Sequence, residues 1–230
     1  IKSKFFYRLV KKTKKVLFLG KNNDTFTLKA LDHLRLIFTE VKDYLGDWGD
    51  KLPAEASYWE GEILISYKSR WIIPKNLLDK AKEVAINFHP ASPDYPGIGC
   101  INFALYDNAN EYGATCHHMN PKVDSGDIIK VLKFPIYPSD NVETLLTRTY
   151  EHQLILFYEI INYLHKGKTL PKSNEKWSRE PYSRKDFDEL NNIQIDMDSS
   201  EIKRRIRATL YKDFRPKLSF KNFNFELNKD

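Results

Sequence analysis

The apolar positions of this chain switch between two spacings. Val16 to Leu19 is an unbroken apolar run that ends at Gly20, and it reads as a buried strand. From about Thr25 to Ile37 the apolar residues Phe26, Leu28, Leu31, Leu34 and Ile37 recur at helical intervals. Phe38 to Tyr44 reads as a second strand and Ile63 to Tyr67 as a third. Asn76 to Ala81 gives a short helix, and Val84 to Phe88 a fourth strand. Strand and helix alternate, which predicts a parallel sheet with right-handed crossovers. Such a sheet carries its ligand site beyond the carboxyl ends of the strands.

Beyond residue 110 the pattern changes. Tyr112 to Met119 and Ile128 to Ile136 predict two further strands around a polar loop. Asn141 to His165 predicts a long helix, with a stripe of Leu145, Leu146, Thr149, His152, Leu156, Ile160 and Leu164. Asp140 is its expected cap, with Glu143 three residues on, and Gly167 ends it. Lys168 to Tyr182 is polar, holds Pro171 and Pro181, and reads as a linker. Asp186–Ile193 and Ser199–Leu210 predict short helices. Leu218–Phe220 and Phe223–Leu227, joined by Lys221-Asn222, predict a terminal hairpin. The fold class expected is α/β: a Rossmann-like, mostly parallel sheet over residues 1–167, with a small helix-plus-hairpin extension over 168–230.

Charge changes the functional picture. The chain of 230 residues carries +6, a balance that could suggest nucleic acid. Residues 1–15 alone carry +7 and residues 168–230 carry +4, which leaves −5 on the part between them. An acidic core argues against a nucleic-acid partner, whose phosphates need a positive field. No apolar run approaches the roughly 18 residues of a membrane span. The basic start is followed by only four apolar residues, too few for a secretory segment. The chain opens on Ile1, so its true N-terminus is expected to lie outside this sequence. Cys100 and Cys116 have neither metal-ligand spacing nor a disulfide framework. Buried thiols in a reducing, cytoplasmic setting are expected.

The candidate chemistry centres on Asn87, His89 and Asp124. Asn87 and His89, two apart, share one face of a strand. Asp124, 35 residues after His89, can return to them from the loop between later strands. An amide, an imidazole and a carboxylate suit attack by an amine on an acyl group. The amide and imidazole can bind a developing oxyanion, and the carboxylate can orient the imidazole as it moves a proton. Gly20-Lys21-Asn22, before a helix, offers amides and a dipole to a diphosphate. There is no Gly-x-Gly-x-x-Gly, no Gly-x-Ser-x-Gly and no metal-ligand spacing, so no metal is expected.

These residues sit in an ordered set of motifs: Ile86-Asn87-Phe88-His89-Pro90, Tyr95-Pro96-Gly97, Gly113 to His117, and Val123 to Ile129. The set resembles the 10-formyltetrahydrofolate-dependent formyltransferases, from about Lys15 to His165. The loop Ala91 to Asp94 is a residue shorter than in many members. With Cys116-His117-His118-Met119, it is most similar to the N-formyltransferases of nucleotide-linked amino sugars. The resemblance implies that Asn87, His89 and Asp124 are catalytic, and that 10-formyltetrahydrofolate is the donor. It implies that Arg70, Trp71 and Ile72, with Lys122 and Val123, hold the folate. The substrate would meet Lys21, Tyr95 and His117. The implied acceptor is a sugar such as dTDP-4-amino-4,6-dideoxyglucose, used for O-antigen or other surface polysaccharide. Family members usually have more structure in the first half, so Asp47 to Trp59 is expected as a compact loop or turn. The alternatives are a methionyl-tRNA formyltransferase and a non-catalytic binding protein of the same fold. The hairpin's apolar face predicts a homodimer.

Overall fold

The computed structural model describes residues 11–221 and 223–227. Most of the basic segment, residues 1–10, and Asn222 of the hairpin turn lie outside the described residues. The chain runs β1 (Lys12–Lys21), α1 (Thr25–Ile37), β2 (Phe38–Gly46), a 3₁₀ turn (Ala54–Tyr58), β3 (Gly61–Tyr67), α2 (Lys75–Leu78) and β4 (Ala81–His89). It continues through α3 (Cys100–Tyr106), β5 (Glu111–His118), β6 (Ile128–Pro135) and α4 (Val142–Lys166). It closes with α5 (Arg184–Asn191), β7 (Asn192–Ile193), α6 (Ser199–Thr209), β8 (Lys217–Phe220) and β9 (Phe223–Glu226).

The main sheet has the order β2-β1-β3-β4-β5-β6. β1 to β4 pair in parallel, while β5 is antiparallel to both β4 and β6. Alternation along the strands decides which core each residue joins. Val16, Phe18, Ile63, Ile65, Ile86 and Phe88 meet Leu31 and Leu34 of α1 and Phe157, Ile160 and Ile161 of α4. Leu17, Leu19 and Leu64 face the other way, onto Ile73, Leu77 and Leu78. Fully burying each such side chain contributes about 1.5–3 kcal/mol. The fold is therefore an α/β layering with a mostly parallel sheet.

α3 is not predicted by periodicity. Its residues Ile101 to Leu105 are all buried, so the segment has no polar face to reveal a helical period. Gly99, at φ 71, turns the chain into it. The cap of α4 also differs from expectation. Asn141, not Asp140, accepts from the Thr144 amide, and Thr144 Oγ1 accepts in return from the Asn141 amide. Asp140 is instead held by Arg148, whose two terminal nitrogens donate at 2.7 and 2.9 Å.

Lys168 to Tyr182 is not a free linker. Its Ser173 amide donates to the Ile128 carbonyl of β6, and Tyr182 stacks on Phe103 at 3.6 Å. α5 and α6 join α3 and the start of α4 in a further core around Tyr112, Phe134 and Leu145. Arg205 donates to the carbonyls of Glu189, Leu190 and Asn192, and Arg207 to those of Asp140 and Tyr137. Among the described residues, the hairpin β8–β9 pairs with β7, forming a separate three-stranded sheet.

Candidate active site

Sheet register builds the centre of the site. The antiparallel pairing of β4 with β5 sets Asn87 opposite His117 at the carboxyl end of β4. His117 Nδ1 lies 2.8 Å from the His118 carbonyl, so it carries the proton and donates. His117 Nε2 then presents a lone pair, which accepts from Asn87 Nδ2 at 3.1 Å. Each pairing fixes the next: backbone register, then tautomer, then amide orientation.

Asp124 arrives from the loop between β5 and β6, at φ 44. Its Oδ2 accepts from the Gly97 amide at 2.9 Å and lies 3.3 Å from His89 Nδ1. Its Oδ1 lies 3.5 Å from His117 Nε2. The loop can come this close because of Gly126, where a Cβ would stand 1.8 Å from the His118 carbonyl oxygen. His89 Nε2 faces the Tyr95 carbonyl at 3.2 Å and Cys100 Sγ at 3.8 Å. His89, His117 and Asp124 are buried.

Burial pushes His89 below its usual range, against the pull of Asp124. Burial works to raise Asp124 as well. There it loses to His89, His117 and the Gly97 amide, which hold the carboxyl at about 2. The pair is thus a neutral imidazole beside a carboxylate. Both ring nitrogens of His89 face oxygens, so a neutral ring always turns one lone pair toward an acceptor. A proton delivered to this ring would convert both contacts into donated hydrogen bonds. That is the arrangement of a general base.

The four side chains open onto a cavity of about 880 Å³. A family profile described as formyl transferase matches residues 54–161, the stretch from the 3₁₀ turn to most of α4. Just under half of the chain is thus similar to a formyl transferase domain. Phosphoribosylglycinamide formyltransferase of Haemophilus influenzae is 29% identical over 136 residues, 59% of this chain. The chain spans 61% of that relative's length. A sugar N-formyltransferase of Shewanella superposes with a TM-score of 0.75 at 18% identity, over 94% of this chain and 97% of the other. The Helicobacter canadensis N-formyltransferase, solved with folinic acid and dTDP-3-aminofucose, superposes at 0.68 and 23% identity, over 84% and 80%. At such identities the structural likeness is one of fold.

Within the matched stretch, Asn87, His89, His117 and Asp124 come together at the cavity. Arg70, Trp71, Ile72, Lys122 and Val123 also line it. Lys21 and Tyr95 are not among the lining residues. Tyr95 is buried with its ring against Tyr112, and only its carbonyl faces the site. The anion position expected at the start of α1 is filled by the carboxylate of Asp24, which accepts from the Thr27 amide and from Lys68 Nζ at 2.7 Å. Burial draws Lys68 down to about 8 despite that partner.

Sequence reasoning missed part of the lining. Trp48 is 60% exposed at the cavity, with the guanidinium of Arg70 at 4.5 Å from its ring and that of Arg184 at 5.7 Å. Tyr150, on α4, also lines the cavity and sits under the Lys68 ammonium. Trp48 falls in Asp47 to Trp59, the stretch expected as a compact loop or turn, and Tyr150 lies off the apolar stripe of its helix. Among the described residues, no helix is long and apolar enough to cross a membrane, and no group of three His, Cys, Asp or Glu could hold a metal ion.

Proposed function

We propose that the protein transfers the formyl group of 10-formyltetrahydrofolate to the amine of a nucleotide-linked amino-dideoxy sugar. The observation that carries this reading is the Asn87–His117–Asp124–His89 network, whose side chains line a cavity of about 880 Å³. The folate supplies an activated formyl group. His89, neutral, donating from one nitrogen and turning the lone pair of the other toward an acceptor, takes the proton that the attacking amine loses. Asp124 stabilises the imidazolium so formed. Asn87 spends one amide N–H on His117 and has a second for the oxygen that gains charge at the formyl carbon. The amine nitrogen gains the formyl carbon, the bond from that carbon to the folate nitrogen breaks, and that nitrogen regains a proton.

Ser69 to Ile72, with Lys122 and Val123, offer backbone donors and acceptors that suit a pterin. Trp48, Arg70 and Arg184 offer an aromatic face and two cations, which suit a base and a diphosphate. The sugar nucleotide of the Helicobacter canadensis complex supports this acceptor class. Within it, we favour dTDP-4-amino-4,6-dideoxyglucose, made for surface polysaccharide such as O-antigen, in a cytoplasmic homodimer. Residues 1–167 are the catalytic part in this reading and residues 168–230 its extension.

A thermal melt tests the donor. A reduced folate at a hundred times its Kd stabilises the folded state by about 2.7 kcal/mol, a rise of about 5–10 °C for a chain of this size. A rise with NAD and none with the folate contradicts the proposal.

A further inference from the structure

Trp177 touches the reactive residues without lining the cavity. It lies in the polar segment before α5, beyond the residues matched by the formyltransferase profile. Its ring stands edge-to-face on His117, with centroids 5.0 Å apart and planes at 90°. It also stands against His89, at 5.8 Å and 71°. Its indole Nε1 donates to the Gly126 carbonyl at 2.9 Å, two residues from Asp124. One side chain therefore meets both imidazoles and the loop that delivers the carboxylate.

The backbone around Trp177 is tied to the same parts. The Ser173 amide donates to the Ile128 carbonyl, just past the Asp124 loop. The Ser178 amide donates to Pro93, and the Tyr182 amide to Pro96. The Ile98 amide donates back to the Tyr182 carbonyl. Pro93 to Ile98 is the turn whose Tyr95 carbonyl and Gly97 amide hold His89 and Asp124. Residues 173–182 thus strap together the two loops that converge on the imidazoles.

We propose that Trp177 is a positioning residue for formyl transfer, holding the imidazoles of His89 and His117 in register with Asp124 and keeping water from their far side. The inference rests on the functional reading above. Its physical basis is steric. Two imidazoles and a carboxylate in one small volume keep their geometry only if their rotamers are packed from behind, and displacement by about 1 Å can cost a hundredfold in rate. The ionisable groups facing His89 are Asp124, His117 and Cys100. Burial is the main influence that lowers its proton affinity, so admitting water raises it.

The test compares Trp177→Leu and Trp177→Phe with the wild-type chain. Transfer from 10-formyltetrahydrofolate to a panel of nucleotide amino sugars gives kcat and KM. Nuclear magnetic resonance of the free protein follows the titration of His89 and the ring-current shifts of both imidazoles. In Trp177→Leu, kcat falls at least about tenfold while KM stays within about threefold. The His89 midpoint moves up and the ring-current shifts disappear. Trp177→Phe keeps the ring without the N–H, so kcat recovers to within about threefold of wild type. If Trp177→Leu does not fold, Trp177→Phe decides alone: near-wild-type kcat with an unmoved His89 titration supports the proposal, and a tenfold loss overturns it. Unchanged kcat and titration in Trp177→Leu overturn it as well. A wild-type chain that formylates no sugar of the panel defeats the functional reading instead, while the resonances still report whether Trp177 holds the imidazoles.

Discussion

His89 is caught between the Asp124 carboxylate and the Tyr95 carbonyl, and this contact pair sets how the site responds to substitution and to pH. In the proposed mechanism, His89→Ala removes the base, and Asn87→Ala removes the donor to the developing oxyanion. Either change is expected to lower the rate by about two orders of magnitude with folding retained, measured at saturating substrates. Near-wild-type turnover would take the residue out of the mechanism. Because burial lowers His89 from 6.5, the acid limb of the pH–rate profile is expected below that value. Asp124 gives a separate stability signature. Its carboxyl is held at about 2 in the fold against 3.8 ordinarily. Its contribution is complete above the unfolded value and is lost as pH falls through the folded one. Asp124→Asn should flatten the decline in stability between about pH 4 and pH 2 seen in chemical denaturation. Strand alternation puts Asn87 and His89 on one face, and the resemblance of the surrounding motifs is what points to Asp124 and His117 beside them. Tyr95 was not legible in the sequence, because a side chain that packs on Tyr112 cannot be told by spacing from one that turns to the cavity.

The loop and strap elements hold these side chains. At Gly126 a Cβ would overlap the His118 carbonyl, a rigid backbone atom, so Gly126→Ala must displace the Asp124 loop. The expected outcome is a loss of several degrees in melting temperature and a rate at least about tenfold lower, although residue 126 does not line the cavity. Unchanged kinetics would show that the loop can move without moving Asp124. Elements with a clear period were legible in the sequence: β1, α1, β3, β4 and α4 fall close to where spacing puts them. α3 was not, because burial on all sides erases its period. The strap was read as a linker because its polar side chains face solvent while its backbone amides bond the site loops, and backbone bonding leaves no mark in composition.

The whole molecule adds a surface that the single chain leaves uncovered. In the hairpin, Leu218 pairs with Phe225 and Phe220 with Phe223, so the four side chains share one face. Phe223 is 67% and Phe225 52% exposed, and among the described residues the hairpin pairs with the two-residue strand β7. A hairpin this short is marginal alone. A second copy related by a two-fold axis would cover the apolar face, and light scattering of the full chain is expected to give a dimer. Deleting residues 217–230 should give a monomer whose reduced-folate binding is kept, since none of the described residues among them lines the cavity. A monomeric full-length chain at micromolar concentration would contradict this.

The central claim is formyl transfer from folate to a sugar amine by the His89 network. Its most direct measurement is mass spectrometry of a mixture of dTDP-, UDP- and GDP-linked amino sugars incubated with 10-formyltetrahydrofolate and the protein. The account predicts that one nucleotide sugar gains a single formyl group on its amine, with tetrahydrofolate released in equal amount, and that His89→Ala abolishes most of the gain. A panel left unmodified by a protein that binds the folate, or a gain that His89→Ala leaves intact, would contradict it.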